Sequence, residues 1–250
     1  MRVDLNADVG ESSTIHDAES DERLLRTITS ANVACGFHAG NPFVMRHTVR
    51  LAARAGLSVG AHPSFRDREG FGRREMRVEP EEITELVAHQ VVALAEIAKA
   101  EGVWLRHVKP HGALYNMAAR DKDIAEAIAS AVASLDATLR LVGLPGSQLL
   151  SAGTRMGLSV AAEGFADRSY EPDGSLTPRH IAGAVVTESA RVVERAVRMV
   201  REGQVEARDG STVSVKVDTI CVHGDTPGAA ELASAVRAGL EGAGVTVAAL

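Results

Sequence analysis

A chain of 250 residues, 45% hydrophobic and 24% charged, has enough apolar material for one α/β barrel without a second domain. A formal charge of -6 with no basic stripe argues against nucleic acid as a partner, so local arginines must hold any anionic substrate against the overall field. Two cysteines, Cys35 and Cys221, are too few for a disulfide scaffold and lack zinc-motif spacing, and no apolar run is long enough to span a bilayer.

The N-terminus lacks the apolar core of a signal peptide, which makes the cytoplasm the default expectation. Arg2 to Asp8 alternates, with Val3, Leu5, Ala7 and Val9 on one face and Asp4, Asn6 and Asp8 on the other, and reads as the first strand. A short helix over Asp21 to Thr29 and a second strand over Ser30 to Phe37 follow, with Asn32 and His38 on the polar face. Asn41-Pro42 supplies an N-cap and a first-turn proline for a helix running to Gly56. Leu57 to Ala61 is the third strand and delivers His62.

The glycine- and arginine-rich segment from Ser64 to Val78, with Arg73 and Arg74, reads as a long functional loop. Pro80 opens the longest helix, striped by Ile83, Leu86, Val87, Val91, Leu94 and Ile97. The fourth strand ends in Val108-Lys109-Pro110-His111-Gly112, read as a strand entering a turn, with His107, Lys109 and His111 on one face. A helix over Asp121 to Ser134 leads to strands at Leu139 to Leu144 and Leu158 to Glu163. A polar loop to about Thr177, a helix over Glu188 to Arg201, a strand over Thr219 to Val222 and a helix opened by Thr226-Pro227 complete the series. A weak strand at Val245 to Ala248 is expected as the last element, and no glycine fingerprint of a dinucleotide fold is present.

About seven strand–helix units in succession indicate a distorted parallel β/α barrel, one domain over residues 1–250, with its site at the C-terminal strand ends. Four histidines, His38, His62, His111 and His223, fall at those ends, whereas His16, His47, His89 and His180 sit on segments read as surface. Lysine is scarce here, four among 27 basic residues, and Lys109 on a central strand needs a counter-charge that Asp4 or Asp8 can provide. His107 lies deeper and is expected to be structural. On an extended strand His107 and His111 stand roughly 13 Å apart, and the lysine between them repels a cation, so no tightly bound metal is expected. A catalytic metal among the strand-end histidines is the alternative.

At these strand ends the sequence resembles the LamB/YcsF family. The matching stretches are Asp4-Leu-Asn-Ala-Asp-Val-Gly-Glu11, Ala31-Asn-Val-Ala-Cys-Gly-Phe-His-Ala-Gly40, Gly60-Ala-His-Pro-Ser-Phe65, Gly70-Phe-Gly-Arg-Arg74, Val108-Lys-Pro-His-Gly-Ala-Leu-Tyr-Asn116, Glu163-Gly-Phe-Ala-Asp-Arg-Ser-Tyr170 and Val222-His-Gly-Asp225. The resemblance implies a barrel related to the polysaccharide deacetylases. It also implies ATP-dependent opening of the 5-oxoproline lactam to glutamate with two partner subunits, the ATP carrying Mg and held partly by those partners.

For such a reaction Asp8 or Glu11 is expected as base, His62 or His111 as acid/base and Lys109 as electrostatic stabiliser. Arg168 or Arg73 is expected on the substrate carboxylate, with Asn6, Asn32 and Glu163 orienting the ring. Asp4, His38, Tyr115, His223 and Asp225 are expected in the same binding set. Two other readings remain open: a metal-dependent deacetylase-like amidohydrolase acting alone, and a non-catalytic lactam-binding subunit.

Overall fold

A computed structural model describes residues 1–15, 20–223 and 228–250. Asp225, His16 and the expected Thr226-Pro227 helix start lie outside the described residues. Seven parallel strands close the barrel: β1 (Arg2–Val9), β2 (Ser30–Ala34), β3 (Ser58–His62), β4 (Leu105–Val108), β5 (Arg140–Gly143), β6 (Val160–Phe165) and β9 (Thr219–His223). Closure is made by β9, which pairs with β6 on one side and with β1 on the other, setting Asp8 level with His223 and Asn6 level with Cys221. The expected weak strand is present as β10 (Thr246–Val247), paired with the first residues of β1 below the point where β9 takes over.

Outside the strands run α1 (Ser20–Leu25), α2 (Pro42–Arg54), α3 (Pro80–Ala100), α4 (Gly112–Arg120), α5 (Lys122–Leu135), α6 (Gln148–Arg155), α7 (Ser189–Glu202) and α8 (Ala229–Gly242). Asn41 caps α2 as its sequence predicts, accepting from the Phe43 and Val44 amides. The α3 stripe of Ile83, Val87, Val91 and Leu94 is buried, and the apolar core is built mainly from Val, Leu, Ile and Ala. No described helix is long and apolar enough to cross a membrane.

Three features differ from the sequence reading. Gly112 does not end in a plain turn but opens α4, and Asp121 then caps α5, so two helices lie end to end where one was expected. The segment after β5 forms α6, capped by Ser147. A two-stranded hairpin of β7 (Gln204–Glu206) and β8 (Thr212–Ser214) stands beside the barrel. The four missed elements are three to nine residues long, too short for periodicity to reveal.

Candidate active site

The polar face of β1 lines the barrel interior, and its residues are joined by a hydrogen-bonded ladder. At the deep end the Asp4 carboxylate accepts from Thr29 at 2.7 Å, Ser30 at 2.6 Å and Thr219 at 2.5 Å. Thr219 also accepts from Asn6 at 2.6 Å, and Asn6 accepts from Asn32 at 2.7 Å. Asn32 in turn donates to Asp8 at 2.9 Å and accepts from His107 Nε2 at 2.7 Å. A Cβ at Gly60 would land on the His107 ring, so this glycine makes room for the bridge. Burial, then the Lys109 charge, push the His107 imidazole down to about 3, which leaves it neutral beneath the ammonium.

Above the ladder lies the Lys109 ammonium, 2% exposed. It stands 2.8 Å from Asp8 Oδ1, 2.8 Å from Glu163 Oε1, 3.1 Å from Cys221 Sγ and 3.4 Å from Asn6 Oδ1. Burial works to strip its proton, but the Asp8 charge first, with Glu163, holds the lysine well above its usual range. Burial likewise works to raise Asp8, and His62 and Lys109 outweigh it, so the carboxylate stays well below its ordinary range. Asp4 shows the opposite: burial raises it despite its three hydroxyl donors.

Neither buried oxygen of Glu163 is closed off by a well-formed hydrogen bond, and the nearby Tyr115 hydroxyl is in the same position. Burial, then the Glu163 charge, keep that phenol protonated far above its usual range, a standing donor. Cys221 was not singled out from the sequence. Burial raises its thiol more than the neighbouring ammonium lowers it, so it packs as a neutral group.

On the other side of Asp8 the histidines converge. His62 Nδ1 faces the Lys109 carbonyl at 2.7 Å, and His111 Nε2 faces the Phe71 carbonyl at 2.8 Å. A carbonyl only accepts, so both nitrogens carry hydrogen. The remaining nitrogens, His62 Nε2 and His111 Nδ1, face each other at 2.9 Å, and two bare lone pairs do not sit at that distance without a cation between them. Asp8 Oδ2 lies 3.3 Å from His62 Nε2, and Glu11 Oε1 lies 3.5 Å from His111 Nδ1 and 3.1 Å from His38 Nε2. His38 stacks on His111 with ring centres 3.9 Å apart. The long loop makes this possible: Phe71 adopts a φ of 53° and Gly72 a φ of 65°, where a side chain would strike Ser64 and His111, and the Phe71 carbonyl is thereby aimed at the imidazole.

These groups open into a cavity of about 930 Å³ lined by Asp8, Glu11, His62, Lys109, His111 and Tyr115, with Arg73, Arg168 and His223 on its walls. His223 Nδ1 is held by Asp167 at 2.7 Å, an orienting carboxylate the sequence reading passed over. Arg168 spends two of its N–H groups on the Thr177 and Ala184 carbonyls, and burial, then Arg179, lower it to about 10. Arg73 lies over the Phe71 ring, 4.7 Å from its centre.

Asp4, Asn6, Asn32, His38 and Glu163 do not line the cavity, and of these Asp4 is corrected outright: its carboxylate is saturated at the closed end, out of the binding set. His180 is exposed, as its surface segment predicts, and lies on the cavity rim beside Arg179. Asn116 and Arg120 reach the wall from α4, which a plain turn at Gly112 did not foresee.

A sequence profile of the LamB/YcsF family matches residues 3–250. The chain is 56% identical over 248 residues to the A subunit of a 5-oxoprolinase from Methylococcus capsulatus, covering 99% of this chain and 95% of that protein. It superposes on the lactam utilization protein of Thermus thermophilus with a TM-score of 0.93 at 49% identity, covering all of both chains. A T48 deacetylase solved with substrate shares the fold at a TM-score of 0.52 and 14% identity, covering 99% of this chain and 87% of the other.

Proposed function

The chain belongs to the LamB/YcsF family, and from that premise we propose that it hydrolyses the cyclic amide 5-oxoproline to L-glutamate at the expense of ATP, as one component of a multi-subunit 5-oxoprolinase. The observation that carries the reading is the Lys109 ammonium, clamped between Asp8 and Glu163 beneath a cavity lined by acid, imidazole and guanidinium groups.

A five-membered lactam is a stable amide whose oxygen must be activated before water can open the ring. ATP transfers its terminal phosphoryl group to the carbonyl oxygen and leaves as ADP. Water then adds to the carbon and the C–N bond breaks, leaving an acyl phosphate that a second water hydrolyses to glutamate and phosphate, so one ATP and two waters are consumed per glutamate. Charge develops on the carbonyl oxygen, and a buried, pre-paired ammonium is suited to meet it because no solvent reorganises as it does so. Lys109 takes that role.

Asp8, ionised and touching both Lys109 and His62, receives the proton from water, with Glu11 beside the imidazoles as the second carboxylate. His223, oriented by Asp167, supplies a proton to the departing ring nitrogen. His62 and His111, whose facing nitrogens lie 2.9 Å apart, border Asp8 and Glu11 on that side of the site and hold the two carboxylates in place. Arg73 and the remaining guanidinium hydrogens of Arg168 take the substrate carboxylate, and Tyr115 donates at the floor. The cavity exceeds what one lactam ring fills, which leaves space for the phosphate end of ATP with Mg, the rest of the nucleotide resting on the two partner subunits. The reaction is placed in the cytoplasm, where ATP is supplied.

The test is ATP-dependent glutamate release by the chain co-purified with its B and C partners. Wild type releases glutamate only when ATP and all subunits are present, and Lys109→Ala does not. Full turnover by Lys109→Ala overturns the assignment, as does release without ATP by the isolated chain. Loss of turnover with 5-oxoproline affinity and assembly intact separates a catalytic from a merely binding subunit.

A further inference from the structure

Among the described residues two groups of metal-ligating side chains stand in this site, and they are not equivalent. Asp8, Cys221 and His223 place three donor atoms within 4.8 Å of one another, but the Lys109 ammonium already touches the first two, at 2.8 Å and 3.1 Å. That position holds a cation of the chain's own. The second group, Glu11, His38, His62 and His111, also keeps its four donor atoms within 4.8 Å of one another, while the Lys109 ammonium spends its contacts on Asp8, Glu163 and Cys221.

We infer that Glu11, His38, His62 and His111 form a binding site for a divalent transition-metal ion of the zinc class at the edge of the cavity, next to Lys109. Nitrogen and oxygen donors bind such ions at about 2.0–2.2 Å, so ligands arranged tetrahedrally around one stand roughly 3.3–3.5 Å apart. The separations here are 2.9 Å between His62 and His111, 3.1 Å between His38 and Glu11, and 3.5 Å between Glu11 and His111. Asp8 Oδ2, 3.3 Å from His62 Nε2, offers a further oxygen.

The far sides of two of the three rings support the same reading, while His38 Nδ1 is buried without a hydrogen-bond partner. Metal-bound imidazoles commonly donate their other N–H to a carbonyl or carboxylate, which fixes ring and tautomer. His62 and His111 do so, to Lys109 and Phe71, and the lone pairs left over are those that converge. A shared proton would also answer the 2.9 Å contact, but it joins two donors, whereas four converge. Charge favours the ion as well: Asp8 and Glu163 share a single ammonium, and a divalent cation beside Asp8 balances the surplus. A mixed imidazole and carboxylate set suits zinc, cobalt or manganese better than calcium.

The inference stands apart from the proposed reaction, and its test needs neither ATP nor lactam. The purified full chain is stripped with a chelator, then titrated with Zn2+ by calorimetry and with Co2+ by visible absorption. One ion per chain is expected, with the Co2+ bands of a site containing nitrogen donors. Glu11→Gln and His111→Ala each lower the affinity by roughly 10-fold or more, the scale of lesser changes at metal sites, and thermal melting shows that each variant is folded. Cys221→Ser leaves the affinity unchanged, because its group belongs to Lys109. Absence of stoichiometric binding by Zn2+, Co2+ and Mn2+ overturns the inference. Binding that survives in folded Glu11→Gln and His111→Ala, or that is lost in Cys221→Ser, overturns it as well.

Discussion

Asp4 and Asp8 are the same residue type, four positions apart on the same face of the same strand, and both are buried. Asp4 is surrounded by hydroxyls, and burial raises its proton affinity. Asp8 is surrounded by an ammonium and an imidazole, its proton affinity is depressed, and it faces the cavity. One carboxylate closes the barrel floor and the other is available for chemistry. Side-chain direction is common to both, and what differs is the set of neighbours at each level of the barrel.

The largest effect should come from removing the cation that separates the two cases. Lys109→Met leaves Asp8 and Glu163 buried without their partner, and a broken buried pair of this kind costs about 3–5 kcal/mol. Urea unfolding should show that loss while glutamate release by the assembled enzyme falls to background. A Lys109→Met chain as stable as wild type would mean that the two carboxylates carry little charge.

Next come the aspartates themselves. Asp8→Asn should lower turnover by about 100- to 10,000-fold, the range for a positioned base, with folding intact. Asp4→Asn should do the reverse, costing about 1–3 kcal/mol through mismatched hydroxyl donors while turnover per folded molecule is kept. Equal losses of turnover in the two variants would erase the distinction between floor and site.

Acid stability sharpens the comparison further. His107, held near 3 in the fold against a reference of 6.5, is neutral when folded and protonated when unfolded below pH 6.5. Its depressed value therefore adds stability above pH 6.5, which drains away as the pH falls from 6.5 towards 3, at no more than about 1.4 kcal/mol per pH unit. The contribution of Asp8 is present above its reference of 3.8 and is lost only below it, and that of Lys109 is lost only above 10.5. Urea midpoints measured from about pH 7 to about pH 4.5 should fall, with a shallower slope in His107→Gln; equal slopes would assign the acid sensitivity elsewhere.

The smallest effect is expected at Cys221. Cys221→Ala removes a neutral thiol from beside the ammonium, and both turnover and midpoint should stay close to wild type. A large loss of turnover would show that sulfur takes part in holding Lys109.

Much of the barrel was legible in the chain because parallel strands announce themselves by short apolar runs that end in polar turns. The β1 alternation, the Asn41-Pro42 cap and the α3 stripe each follow from rules that act over a few residues. Residues at strand ends were legible for the same reason, since Asp8, His62, Lys109 and His111 all sit where a strand meets its loop. Asp167 and the rim position of His180 were harder to read. The first acts by orienting another side chain, and the second is set by a loop whose path depends on what it folds against.

The amino-acid order by itself determined which side chains turn into the barrel, because the two-residue strand period is a local property. The closed sheet alone decided which of them meet: pairing of β1 with β9 and β2 sets the level of each residue against strands more than 200 and about 25 positions away. Inward parity is common to Asp4 and Asp8, but register placed serine and threonine beside one and lysine and histidine beside the other. A carboxylate's charge state follows its neighbours, so the division between floor and site belongs to the tertiary structure.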